Sequence, residues 1–144
     1  MKSETSKTLR YSVKFVCGTQ HESCGCAPVR PGGYATQISI HNHSNEPVGV
    51  RKRFIPLVLA GAALGREPKI GTTRAEDGIE LPPHTATMDD CCRIAELLFG
   101  APPGGDGALT IGILEIIASR EVGVTAIYTT DQAIDVVVVD GQPV

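Results

Sequence analysis

Several short segments of this chain alternate apolar and polar residues with a period of two. From position 9 to position 17 every odd residue is apolar, whereas residues 10, 12 and 14 are polar. Successive side chains of a strand point to opposite faces, so this pattern predicts a strand with one face in a core and the other in water. The 16 glycines and 10 prolines among 144 residues supply many turns and favour a β-rich fold over a helical bundle.

Further strands are predicted along the rest of the chain, at residues 34–41, 48–59, 79–81, 109–118, 122–129 and 134–140. Pro56 lies inside one of these strands and indicates an edge or a bulge. The last strand contains the four valines Val136–Val139, which indicate a strand that is buried on both faces or covered by a partner.

One helix is predicted, at Met88–Phe99. Thr87 is its natural N-cap, Asp89 and Asp90 occupy its first turn, and Gly100 follows its end. We therefore expect a mainly β protein, an immunoglobulin-like antiparallel β-sandwich with one crossover helix at about 88–99. It forms a single domain over residues 8–144, preceded by a flexible N-terminus at 1–7.

The net charge of -3 conceals an asymmetry between the two halves of the chain. Residues 1–74 carry eleven Lys/Arg and four Asp/Glu, a net charge of +7, whereas residues 75–144 carry two and twelve, a net charge of -10. The halves either present a basic face to an anionic partner or pair their charges within the fold or between subunits. Because no basic cluster exceeds Arg51–Arg53 and aromatic residues make up only 4%, nucleic acid is not an expected partner.

The sequence also bears on location. No apolar run approaches 18 residues, so no membrane span is expected. The polar segment Met1–Lys7 lacks the apolar core of a signal peptide, which predicts a cytoplasmic protein. Thiols normally stay reduced there, and five cysteines cannot all pair within one chain, so no disulfide framework is expected.

Thiols and one imidazole are concentrated in two places that together suggest a metal site. Cys17, His21, Cys24 and Cys26 fall within ten residues, and Cys91 and Cys92 lie in the predicted helix. Such soft ligands on a Gly-bearing loop suit zinc or an iron–sulfur cluster, provided that the loop and the helix start lie together. Without metal, the same proximity predicts oxidation of a loop thiol against a helix thiol. The alternative is that Cys17 and Cys91 are small buried apolar residues.

A second candidate metal site consists of His41, His43 and Glu46. Histidines two apart on a strand project from the same face, and a nearby carboxylate completes a facial triad for a divalent metal. The alternative is a polar strand end that runs into a turn, where the histidines bond to backbone groups.

Two segments, Gly33–Asn42 and Met88–Phe99, resemble parts of a group of small bacterial proteins of no known activity. The closing hairpin, Leu109–Tyr128, resembles the layout of the sensory rhodopsin transducer, a small bacterial β-sandwich that forms tetramers. This resemblance is one of pattern, so it implies an oligomeric sandwich and assigns no functional residue.

Hydrolytic and nucleotide-binding motifs are missing, since the chain has neither a Gly-x-Ser-x-Gly elbow nor a phosphate loop. The sequence therefore favours a non-enzymatic, homo-oligomeric protein of binding or assembly, with a protein partner and a Cys/His metal or redox site as further expectations. The alternative is a small metal- or thiol-dependent enzyme that uses the cysteine cluster or His41, His43 and Glu46.

Overall fold

The computed structural model describes residues 7–21, 25–102 and 107–144. In these ranges the chain forms ten strands and one helix, which confirms a mainly β fold. The elements are β1 (Leu9–Gln20), β2 (Gly32–Asn42), β3 (Val48–Leu59), β4 (Ala62–Ala63), β5 (Ala75–Leu81), β6 (Thr85–Asp90), α1 (Cys91–Phe99), β7 (Thr110–Ala118), β8 (Gly123–Thr130), β9 (Ile134–Val139) and β10 (Gln142–Pro143). The predicted flexible N-terminus lies, except for Lys7, outside the described residues.

The strands form two antiparallel sheets that share β1. In the first sheet the order is β10-β1-β7-β3, and β3 also pairs with β4 and β5. In the second sheet β2 pairs with β6 and β8, and β8 pairs with β9. The helix α1 follows β6 of the second sheet and precedes β7 of the first, so it crosses between the sheets as predicted.

β1 passes from one sheet to the other at Cys17 and Gly18. Residues 9–17 pair with β7, whereas residues 18–20 pair with β2. Gly18 has a φ of 104°, and a Cβ there would lie 2.6 Å from the carbonyl oxygens of Gly107 and Ala108. Only glycine fits this close approach, so Gly18 fixes the corner where the two sheets join.

A single core fills the space between the sheets. Its fully buried large side chains come from both of them and are Tyr11, Phe15, Phe54, Ile38, Ile40, Leu114, Ile116 and Val124, together with Ile94 of α1. The rings of Phe15 and Phe54 meet edge to face, with centroids 6.3 Å apart. The odd positions 11, 13, 15 and 17 of β1 all point inward, which confirms the period-two interpretation.

Most strand predictions agree with the structure to within two residues, and β3 has the predicted bounds. Two differences are larger: β1 continues three residues beyond Cys17, and β5 begins four residues before the predicted Ile79. The pairing of β3 with β7 shifts register between Pro56 and Val58, so the bulge expected at Pro56 is present. A proline cannot donate to the ladder, which is why the irregularity falls there.

The helix begins later than predicted. It starts at Cys91, and its N-cap is Asp90, whose carboxylate accepts a hydrogen bond from the Arg93 N–H at 2.9 Å. Met88 and Asp89 instead remain in β6, where they pair with Ser39 and Ile38 of β2. Gly100 ends the helix in the left-handed region as predicted, with a φ of 76°.

Part of the charge of the two halves is paired inside the fold. Lys52 of β3 is only 3% exposed, and its ammonium lies 2.9 Å from Asp89 and 3.5 Å from Asp77. Arg10 and Arg53 both pair with Glu115 of β7. These contacts join basic residues of the first half to acidic residues of the second, as the internal-pairing interpretation expects. Among the described residues, none of the helical structure is long and apolar enough to cross a membrane.

Candidate functional site

The structure brings the end of the β1 core segment and the start of α1 together through a disulfide. Cys17 and Cys91 are bonded to each other with their Cα atoms 5.7 Å apart, across 74 residues of sequence. The expectation that these two regions meet is confirmed for this pair. The expectation that the thiols stay reduced is wrong for it, and the bonded residues differ from the predicted pairing of a loop thiol with a helix thiol.

The remaining members of the predicted thiol site are dispersed or lie outside the described residues. Cys26 and Cys92 are exposed free cysteines, and His21 is exposed. Cys24 is outside the described residues. In the ranges that the structure describes, no three His, Cys, Asp or Glu side chains are placed to hold a metal ion. The disulfide also leaves Cys17 and Cys91 without a thiolate, so the zinc or iron–sulfur site gains no support and stays a prediction.

The histidine site has the geometry of a strand end and a turn. The rings of His41 and His43 are exposed and 5.9 Å apart, which agrees with the shared face expected for residues two apart. The buried residue between them, Asn42, donates from its amide to the backbone oxygens of Glu46 at 2.7 Å and Leu81 at 3.1 Å. Glu46 is thus held by its backbone. Within the described residues, these side chains form no group of three that could hold a metal ion.

Sequence reasoning missed two polar residues that organise this part of the molecule, Asn42 and Lys52. Both are buried, and both are fully engaged in hydrogen bonds. For Lys52 a signal existed, because it occupies an inward position of β3 between Val50 and Phe54. An inward lysine requires a buried acidic partner, and Asp89 is that partner.

The outer surface of the second sheet is uncharged over the three strands β2, β8 and β9. Cross-strand pairing places its residues in three rows, which we call the neutral face: Ile134, Thr129 and Ala35; Val136, Ile127 and Gln37; Val138, Thr125, Ser39 and Met88. On β6 the second row ends at Asp90, whose carboxylate caps α1 and borders the neutral face with one charge. The side chains of Ile134, Val136 and Val138 are 68%, 60% and 73% exposed. The prediction that Val136–Val139 is buried on both faces is therefore wrong within one chain, because β9 lies at the edge of its sheet.

The outer surface of the first sheet has the opposite character. The same cross-strand reasoning places Arg10, Lys14, Arg51, Arg53, Glu76, Glu80 and Glu115 on this surface, which we call the charged face. Among the isoleucines of β7, Ile116 is fully buried, and Ile113 and Ile117 are half-buried among those charges. Among the described strands, the second sheet thus leaves three large apolar side chains exposed along one strand, whereas the first sheet does not.

The edge beside these side chains is also open. Among the described strands, β9 pairs with β8 alone. An unpaired strand edge readily pairs with another chain, and exposed apolar side chains beside it mark a site of protein contact. The free edge and the exposed side chains of β9 therefore both favour association.

Comparison with known proteins yields little. No family model and no curated protein matches the chain. A solved structure described as Thermotoga maritima 1070 is similar with a TM-score of 0.49 and 9% sequence identity, covering 99% of this chain and 97% of that one. That score and that identity do not assign the chain to a family.

Proposed function

We propose that the protein is a non-enzymatic binding or assembly protein that forms homo-oligomers through the neutral face. The observation that carries this proposal is the exposure of Ile134, Val136 and Val138 along the edge strand β9, next to the uncharged outward residues of β8 and β2. Each of these side chains gains roughly 1.5–3 kcal/mol when it is fully removed from water.

A second copy of the chain is the partner that best fits this face. An interface that lacks charges must meet a surface that also lacks them, because a buried unpaired charge costs several kcal/mol. The neutral face satisfies this condition against itself, and a two-fold axis would place the same patch on both subunits. The charged face carries four cations and three carboxylates at the named positions, so two such faces would have to match each charge with an opposite one or bury it unpaired.

Sedimentation of purified protein tests the proposal. We expect the native protein to sediment as a multiple of the 15.2 kDa chain. Val136→Lys places a charge in the middle of the neutral face and should shift the protein to single chains. Ser12→Lys is the matched control, because Ser12 is an exposed strand residue on the outer surface of the first sheet. Native protein that sediments as a monomer at micromolar concentration, or a control that dissociates equally, would overturn the proposal.

A cytoplasmic location is also part of this proposal, and the disulfide sets a condition on it. Disulfides are rare in the reducing cytosol, so a cytoplasmic protein would keep the Cys17–Cys91 bond only if the bond is reduced slowly; Cys17 is buried and Cys91 is half-buried. Alkylation of thiols in intact cells, followed by mass analysis, tests this condition. A cytoplasmic fraction in which Cys17 and Cys91 are bonded supports the location, whereas a bonded pair confined to an oxidising compartment contradicts it.

A further inference from the structure

A cavity of about 260 Å³ lies beside the disulfide, where β1, α1 and the start of β7 meet. Cys17 and Cys91 form one side of it. Ile94, Ala95 and Phe99 of the helix form another, and Thr110 contributes the polar group of β7. The cavity is separate from the neutral face, because none of the residues of that face lines it.

The described residues that line the cavity, in the ranges 17–18, 60, 91–102 and 107–110, carry no charge. Thr110 supplies a hydroxyl, and this oxygen already accepts a hydrogen bond from the Ala60 N–H at 3.1 Å. A ligand that carries a charge would lose its hydration here without gaining an opposite charge, which costs several kcal/mol. An apolar ligand has no charge whose hydration it would lose, and it gains contact with the helix and with two polarisable sulfurs.

The volume of the cavity limits the size of the ligand. An engineered apolar cavity of about 150 Å³ takes up benzene, and sites for drug-sized molecules begin at about 300 Å³. A cavity of about 260 Å³ lies between these values and suits a molecule with one or two small rings or a short hydrocarbon chain.

The disulfide explains why this space stays open. It joins the first residue of α1 to β1, so the beginning of the helix cannot move independently of the strand. Phe99, at the end of the same helix, remains 45% exposed although it lines the cavity. The two ends of α1 thus differ: one is covalently fixed, and the other presents an aromatic ring that a ligand would cover.

We propose that this cavity binds one small, uncharged, mainly apolar molecule, held between the Cys17–Cys91 disulfide and the Ile94, Ala95 and Phe99 side of α1. The ligand class is an aromatic or short-chain hydrocarbon compound whose polar content does not exceed a single hydrogen-bonding group, which Thr110 would meet.

The test uses 1-aminonaphthalene, a neutral probe with two fused rings and one polar group, whose fluorescence emission shifts to the blue in apolar surroundings. The native protein should bind it saturably, with one probe per chain. Ala95→Phe fills the cavity and should weaken binding at least tenfold. Glu96→Phe adds the same ring at an exposed position of the same helix and should leave binding unchanged. Circular dichroism and thermal unfolding show whether each variant is folded.

Two further variants keep the result decisive. Phe99→Ala removes a partly exposed ring, so it should preserve the fold and weaken binding severalfold even if Ala95→Phe does not fold. Val136→Lys should bind the probe like the native protein, because it alters only the neutral face. Absence of saturable binding by the native protein, or native-like binding by both Ala95→Phe and Phe99→Ala, would overturn the proposal. Loss of binding in Val136→Lys would assign the probe to the neutral face instead.

Discussion

At the scale of single residues, the buried ion pair of Lys52 and Asp89 is the least expected feature of the molecule. Asp89→Ala removes both hydrogen bonds of the buried Lys52 ammonium to Asp89 and leaves it the more distant carboxylate of Asp77, at 3.5 Å, so we expect the free energy of unfolding to fall by about 3–5 kcal/mol. Arg93→Ala is the matched control. It also removes a charge beside Asp77, but Arg93 is exposed and its ion pairs should contribute less than about 1 kcal/mol. Urea unfolding measures both values, and equal losses would contradict the assignment.

The hydroxyl of Tyr11 supports a second prediction. It donates to the Val122 carbonyl and accepts from the Val122 N–H, both at 3.0 Å in a buried site. Tyr11→Phe leaves both backbone groups without this partner, so unfolding should become easier by about 1–3 kcal/mol. Tyr34→Phe is the control, because its hydroxyl bonds in an exposed place.

The hydroxyl of Tyr11 also predicts that the free energy of unfolding depends on pH. Burial raises the pKa of Tyr11 above its usual value of 10.0, and the charge of Glu121 acts in the same direction. The folded state therefore holds this proton more tightly than the unfolded state. Its contribution to stability is complete below pH 10 and is lost as the pH rises through the raised pKa. We expect native protein to lose more stability than Tyr11→Phe when urea unfolding is repeated above pH 10. Equal losses would contradict this.

At the scale of elements, the disulfide is the contact that holds α1 on the sheets. A cross-link that closes a loop of 74 residues removes entropy from the unfolded chain, so its loss should cost about 4 kcal/mol. We expect this decrease in urea unfolding of a Cys17→Ala, Cys91→Ala double variant. The Cys26→Ser, Cys92→Ser double variant changes only exposed free thiols and should unfold like the native protein. If chemical reduction of the Cys17–Cys91 bond leaves the free energy of unfolding of the native protein unchanged, the bond does not stabilise the fold.

Some of the strands, helix bounds and contacts could be predicted from the sequence, and others could not. Alternation predicted the core strands because it is a local property, visible in residues 9–17 alone. The predicted start of α1 was wrong because contacts distant in sequence keep Met88 and Asp89 in β6. Met88 pairs with Ser39 of β2, and Asp89 forms an ion pair with Lys52 of β3. The disulfide was missed for a related reason. Cys17 and Cys91 come into contact only when the first strand and the helix are folded, and their separation of 74 residues in the sequence does not predict that contact.

At the scale of the whole molecule, the two sheets divide the surface into a charged face and a neutral face. Composition could not predict this division. The first half of the chain is basic and the second half acidic, yet the halves interleave in the first sheet, where Arg10 and Arg53 pair with Glu115. The neutral face arises because uncharged outward positions of β2, β8 and β9, together with Met88 of β6, fall side by side, which depends on strand order and register.

This division gives the association a distinctive dependence on salt. Contacts between neutral faces are not weakened by screening, whereas contacts through the charged face are, because the screening length falls from about 10 Å at 0.1 M salt to about 3 Å at 1 M. We therefore expect the association constant of the native protein, measured by sedimentation equilibrium, to stay constant or rise over that range. Val136→Lys should remain dissociated throughout. An association that weakens steeply with added salt would place the interface on the face of Arg10, Lys14 and Arg53, and Ser12→Lys would then be the variant that separates the subunits.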